Sequence, residues 1–407
     1  MNVLYLTIIP RKTQRMTLDI AEELVSRGHN VFVVCPCDTE DIPIGHFTQI
    51  GKVNYLFVKS GYSTGKVGLV RKVINFLTID SRFNKAMQGV LKTTHIDMIL
   101  YSTPPITLVN TIKWVKRKYN VVSYLMLKDI FPQNAVDLGM MKTKGIMGLP
   151  YLLFREKERN LYAVSDYIGC MSDANVNYVL RENPEINPEK VGLCVNSLHL
   201  QNAKDVDVVK IRALYGIPQD RVVFLYGGNL GKPQGLQFLV DILRTNKDKK
   251  DRYFVICGSG NDQQRITSYI NDEKPENVLF ISRLSPDDFD VLTRATDVGM
   301  IFLDKRFTIP NFPSRLLSIM LNEKPAIAAT DKNTDIGDVI TNNKFGWWCE
   351  SGDLEKYNFY LDSICSGHED IELKGKKARE YYEANYTTAT AVNQILKGYN
   401  IAKLQKQ

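Results

Sequence analysis

The chain reads as an α/β protein built from two doubly wound, Rossmann-like domains that face each other across a cleft. Three observations carry this reading. The length of 407 residues exceeds one compact core. Short apolar runs alternate with amphipathic helical stretches, the pattern of parallel strands buried on both faces. That series stops near residue 199 and starts again after a polar stretch, 201–210.

In the first half, strands are expected at 3–9, 31–34, 97–101, 121–127 and 167–171. A helix at 17–27 carries Ile20 and Leu24 on one face and stops at Gly28. In the second half, strands are expected at 222–226, 253–257, 278–281, 298–302 and 326–329. A long helix from about residue 376 has no strand after it. The domains are therefore 1–199 and 200–385, with a last helix, 386–407, free to return to the first. In such folds ligands bind beyond the carboxyl ends of the strands, so the cleft is the expected active site.

Composition is that of a soluble enzyme, 44% apolar and 24% charged. No apolar run is long enough to span a bilayer, and no leader pattern opens the chain. A cytoplasmic protein, at most peripheral at the inner face of the membrane, is expected. The seven cysteines fall mostly in expected strands and read as buried thiols. The five histidines show no ligand spacing, so no metal or cofactor is expected. Lys and Arg outnumber Asp and Glu by 24 to 17 in residues 1–195, and the remainder is balanced at 28 to 28. The whole excess charge sits on the first half. Nucleic acid, an anionic membrane, an anionic acceptor or plain solubility each fit it.

The most informative stretch is 307–330, FTIPNFPSRLLSIMLNEKPAIAAT. A loop ending in Pro313-Ser314 opens an apolar helix with Arg315 in its first turn, and a strand follows. A helix N-terminus beside a strand end suits a diphosphate; a proline-stopped, serine-capped loop is the bland alternative. Residues 226–235, YGGNLGKPQG, follow a strand and precede a helix. Gly228 and Asn229 let backbone approach a ligand, and Lys232 adds charge; an ordinary glycine turn has the same look. The motif is neither a P-loop nor a dinucleotide fingerprint. Cys257-Gly258-Ser259-Gly260 reads as a tight turn, and Arg283 as a cation at another strand end. Glycines, cations and helix starts on four strand-end loops describe a pocket for a nucleoside diphosphate.

These motifs, in order, resemble the donor domain of the GT-B glycosyltransferases of family 4. The matching stretches are LYGGNLGKPQGLQFLVDIL, FVICGSG, NVLFISRLSPDDFDVLTRATDVGMIFL and PSRLLSIMLNEKPAIAA, with Gly352-Asp353 beyond them. In the first half, LDIAEELVSRGHNVFVVCP is similar to the family's first helix and second strand. YLMLKDIFPQNAVDLG resembles a segment of bacterial surface-polysaccharide transferases related to N-acetylfucosamine transferases. The resemblance implies retaining, metal-independent sugar transfer from a nucleotide-sugar. Carried over, Gly228, Asn229 and Lys232 approach the diphosphate, and backbone at Arg283 and Leu284 reads the base. Asn311, Phe312, Ser314 and Arg315 hold phosphates and donor sugar, and Ser318 meets the ribose. The chain departs from the family where Pro310 and Ser318 replace a glutamate pair, and where Asn229 and Gln234 replace an Arg and a Lys.

On the acceptor half, Asp129 ends a strand. It either orients or deprotonates an acceptor hydroxyl, or caps the next turn. Thr103 closes a neighbouring strand end. Arg11, Gln14 and Arg15 follow the first strand, where they meet an acceptor phosphate or are simply solvated. Residues 66–77, KVGLVRKVINFL, form a basic amphipathic stretch that lies on a membrane or packs on its own core. The function expected is transfer of one sugar, N-acetylated or deoxy, from a UDP-sugar to a lipid-linked polysaccharide precursor. A nucleotide-sugar 2-epimerase and a non-catalytic transferase-like subunit are the alternatives. Nucleic acid is not expected as a partner.

Overall fold

The computed structural model describes residues 1–11, 15–37, 45–59, 69–91, 94–200, 206–367 and 369–407. They form two compact units, Met1–His199 with Thr388–Gln407, and Leu200–Thr387.

The first unit holds strands β1 (Asn2–Leu6), β2 (Asn30–Pro36), β3 (Phe47–Ile50), β4 (Val53–Val58), β5 (Met98–Ser102), β6 (Val122–Leu127), β7 (Tyr167–Cys170) and β8 (Val191–Leu193). They form one sheet in the order β3-β4-β2-β1-β5-β6-β7-β8. Every pairing is parallel except β3 with β4. All six residues of β6 are buried, as expected for a strand covered on both faces. The order turns back between β1 and β5, which makes their carboxyl ends the switch point of this sheet.

The hairpin β3–β4 escaped the sequence reading. Its turn is Gly51-Lys52, with Ile50 opposite Val53 and Gly51 at φ 63°, a left-handed turn residue. β3 is only half-buried, so it lacks the apolar run that marks its neighbours. The last stretch is two helices, Ile371–Asn385 and Thr388–Leu404. The second belongs to the first unit, where Val392, Ile395 and Tyr399 join the core of β1, β2 and β6. Gly398 lets it lie close, since a Cβ there would sit 2.6 Å from the Tyr167 ring.

The second unit holds β9 (Val222–Asn229), β10 (Arg252–Ser259), β11 (Val278–Ile281), β12 (Val298–Phe302), β13 (Ala326–Thr330) and β14 (Gly346–Glu350). The order is β11-β10-β9-β12-β13-β14, all parallel. Its switch point lies between β9 and β12. β14 was not anticipated: its buried and half-buried residues alternate rather than forming an apolar run. Of the basic stretch 66–77, residues 66–68 lie outside the described residues, as do the side chains through 77; the backbone is helical over Leu69–Val90. All seven cysteines are free thiols. No helix among the described residues is long and apolar enough to cross a membrane.

Candidate functional site

In the second unit the switch point is built by glycines. β9 runs on through Gly227, Gly228 and Asn229, and β10 through Gly258 and Ser259. A Cβ on Gly258 would stand 1.9 Å from the Gly228 carbonyl oxygen, and one on Gly260 2.3 Å from that of Leu230. Gly258 is thus a strand residue that permits close approach, not part of the tight turn the sequence suggested. Gly227 has no room for a side chain because the Phe289 ring lies 2.1 Å from the Cβ position. Gly228, at φ +121°, has the backbone of a glycine.

Arg315 reaches this strand end. Its guanidinium lies over the Tyr226 ring, 4.8 Å from the centroid, and Nη2 is 3.6 Å from the Cβ position of Gly228. The Tyr226 hydroxyl donates to the Asn229 carbonyl at 2.8 Å, which fixes the ring. Burial pushes the Tyr226 phenol up, against the pull of the Arg315 charge. Arg315 Nη1 is buried without a hydrogen-bond partner, and so is Asn311 Nδ2 on the same segment. Buried donors are almost always paired. The orphaned guanidinium nitrogen beside a glycine-lined strand end is suited to an anionic acceptor group.

The other residues singled out on this half are placed as follows. Asn229 is exposed, and its Nδ2 is 3.4 Å from Gln234 Oε1. Gln234 itself is buried and accepts from Gly231 N at 3.3 Å, so it ties the loop rather than meeting a ligand. Lys232 is exposed at the head of the short turn Lys232–Gln234. Arg283 is exposed, while Leu284 packs with Phe289 under the sheet. Phe312 is corrected: its ring is buried and stacks on Tyr386 with centroids 5.5 Å apart, so it belongs to the core. Ser314 has helical backbone and makes no capping bond. The helix it opens, Arg315–Leu321, is only seven residues long, so the Arg315 side chain, not a helix dipole, supplies the charge. Ser318 Oγ donates to Asp290 Oδ1 at 3.3 Å. Tyr226 and Asp290 escaped the sequence reading, because nothing in spacing brings a strand tyrosine under Arg315 or an aspartate beside position 318.

In the first unit Asp129 lies two residues past β6. Its Oδ1 accepts from Asn134 Nδ2 at 2.8 Å. It caps no helix: the following turn, Gln133–Asp137, begins after Pro132 with no side-chain cap. Burial pushes the carboxyl up from 3.8 to about 6, opposed by the Asn134 and Ile130 N–H groups and reinforced by the Glu158 charge. Glu158 is buried and held by the Tyr162 hydroxyl at 2.7 Å and by Arg155. Lys128 turns away, donating to the carbonyls of Cys194 and Val195 at 3.0 and 3.2 Å. Burial lowers its pKa.

Thr103 is a correction. Its hydroxyl accepts from the backbone N–H of Lys128 and Asp129 at 2.9 and 3.0 Å and donates to the Asp129 carbonyl. It is buried and fully used in positioning Asp129, so it is not free for an acceptor. Arg11 is half-buried with its guanidinium over the Tyr55 ring at 5.4 Å. Arg15 opens the helix Arg15–Ser26, and its charge reaches Asp19. Gln14 lies outside the described residues. Among the described residues no three His, Cys, Asp or Glu side chains gather as metal ligands.

Residues 207–385 match the family described as glycosyl transferases group 1. The probable glycosyltransferase WbjE of Pseudomonas aeruginosa is 22% identical over 72% of this chain and 71% of its own length. The putative colanic acid biosynthesis glycosyl transferase WcaI of Escherichia coli K12 is 24% identical over 34% of this chain and 33% of its own. Among solved structures, Anabaena Alr3699/HepE in complex with UDP and glucose superposes with a TM-score of 0.68 at 14% identity, covering all of both chains. The match spans nearly the whole unit that carries Gly228 and Arg315, and the two Rossmann-like sheets are those of the GT-B fold, with the transferase activity that these likenesses support.

Proposed function

We propose that the chain is a retaining, family-4-like transferase that moves one sugar, N-acetylated or deoxy, from a UDP-sugar to a lipid-linked precursor of a bacterial surface polysaccharide. The carrying observation is the Arg315 guanidinium, stacked on Tyr226 beside Gly228, with Nη1 buried and unpaired. A diphosphate oxygen is the acceptor this nitrogen lacks. UDP is the nucleotide seen with the structurally similar HepE. WcaI, a partial relative, carries a name from colanic acid biosynthesis, which supports a polysaccharide acceptor.

In the reaction, the bond from the sugar's anomeric carbon to the diphosphate oxygen breaks, and a bond to the acceptor oxygen forms on the same face. The acceptor proton passes to the departing phosphate. Arg315, aided by exposed Lys232, takes up the negative charge that grows on the diphosphate, without a divalent metal. Asp129 holds the acceptor hydroxyl. Its elevated pKa leaves it mostly ionised at neutral pH, able to orient a hydroxyl.

Isothermal titration with UDP, ADP and GDP, followed by turnover of the matching sugar donors, tests the reading. UDP binding that weakens by about tenfold or more in Arg315→Ala is expected. Equal affinity of wild type and variant would remove Arg315 from the donor site. Release of a free epimerised sugar, in place of transfer, would favour a 2-epimerase.

A further inference from the structure

The first unit carries an apolar surface that neither the donor site nor Asp129 uses. Met140, Ile146, Met147, Leu149, Leu152 and Leu153 are 56 to 85% exposed. Only Ile9 and Leu404 join them as exposed large hydrophobics among the described residues of this unit. Isolated exposed leucines are ordinary; six within fourteen residues are not.

The surface is built, not frayed. Met140 N donates to the Ala135 carbonyl at 2.8 Å, and Gly148 N to that of Gly145 at 2.9 Å. The loop folds back so tightly that a Cβ on Gly148 would lie 2.7 Å from the Thr143 carbonyl. The helix Leu149–Val164 then begins, with Pro150 in its first turn. Its inner face buries Glu158, Leu161, Tyr162 and Val164. The Phe154 ring packs edge-on against Phe131, with centroids 5.1 Å apart. Leu149, Leu152 and Leu153 fall at i, i+3 and i+4, so they share the outward face.

Cations border the patch. Lys142 and Lys144 are exposed on the same loop, and Arg159 is exposed further along the helix. Glu156 is the exposed acid on this segment, and it accepts from the Asn160 amide. The half of the chain that carries the patch also carries the whole excess of positive charge.

We propose that residues 140–153 are a platform by which the first unit docks on an anionic membrane surface. Apolar tips enter the boundary between headgroups and acyl chains, while lysines stay with the phosphates. A second copy of the chain fits less well, because a two-fold contact would set one ring of lysines against another. Phe131, against which the platform helix packs, lies two residues from Asp129. Docking therefore holds the Asp129 loop near headgroup level, where a lipid-linked acceptor presents its sugar. That purpose rests on the acceptor role given to Asp129; the docking itself does not.

The test is co-sedimentation of the full chain with vesicles of phosphatidylcholine alone and of phosphatidylcholine mixed with phosphatidylserine. Wild type should sediment with the mixed vesicles, and less so as salt rises. The double variants Leu152→Ser/Leu153→Ser and Lys142→Glu/Lys144→Glu should each bind about tenfold more weakly. Their UDP affinity and their thermal melting, measured alongside, should equal those of wild type, and the melting shows that the first unit folds. Wild type left in the supernatant, or variants that sediment as wild type does, would overturn the assignment. So would a lipid-free dimer that the leucine variant turns into a monomer. Absence of UDP binding in every protein would remove the donor reading while leaving this one standing.

Discussion

Replacing Asp129 with Asn should make the protein more stable and less active at once. The carboxyl rises from 3.8 to about 6 chiefly through burial, a shift of about two units, or about 3 kcal/mol at neutral pH. The sign follows from proton counting. Between about pH 4 and 6 the native state holds a proton that the unfolded chain has released, so stability falls as pH rises through that window and is level above it. Asn keeps the shape and the acceptor oxygen for Asn134, without a charge to bury. Calorimetry of the full chain should show the first unit melting higher in the variant by about 2–4 °C per kcal/mol near neutrality. The two curves should converge near pH 4. Turnover should fall by about a hundredfold or more with UDP affinity unchanged, and wild-type rate should decline as pH drops through about 6. A variant that is less stable at pH 7, with turnover intact, would show that the carboxylate is an anchor and that the reasoning is wrong.

Arg315→Ala and Lys232→Ala should each weaken UDP binding by about tenfold or more, the worth of one charge-assisted bond; titration that finds both unchanged sinks the diphosphate pocket. Arg315→Lys keeps the charge but loses the planar stack on Tyr226, and it should fall between wild type and Ala. Thr103→Val strips the acceptor from two backbone N–H groups and should cost about 1–3 kcal/mol of stability. Turnover should drop with it while UDP affinity holds, whereas a lost UDP affinity would place Thr103 in the wrong site. Transfer should persist in EDTA, and activity that vanishes and returns with manganese would contradict charge neutralisation by Arg315 and Lys232.

The two doubly wound sheets were legible because buried parallel strands are nearly all apolar: Ser123 is the one polar interruption in β6, and β13 is apolar up to Thr330. β3 and β14 depart from that rule and were missed for the same reason; β4, buried and largely apolar, was missed without it. β3 is half-buried, and β14 alternates buried with half-buried residues. The long helix expected from about residue 376 is two, Ile371–Asn385 and Thr388–Leu404. Glycines misled where they were read as turns. Gly227 and Gly258 are strand residues whose missing side chains make room for the Phe289 ring and for the neighbouring strand. From the sequence, a glycine needed for conformation and one needed for space look alike.

At the sites, the sequence marked charged residues at strand ends but not what holds them. Arg315 was visible as a cation early in a helix. That β9 brings the Tyr226 ring beneath its guanidinium, and that one of its nitrogens is left unpaired, no spacing shows. Thr103 was visible at a strand end, yet its hydroxyl serves the backbone around Asp129, a use that no spacing encodes. Position 318 shows the limit from the other side. Read along the chain, it is a serine where the family resemblance implies a carboxylate. In the fold, the helix Pro286–Arg294 sets Asp290 within 3.3 Å of that hydroxyl. The serine's one proton is directed at Asp290, and its lone pairs remain able to accept. A negative charge missing from position 318 in sequence therefore stands beside it in space, contributed by a residue 28 positions earlier.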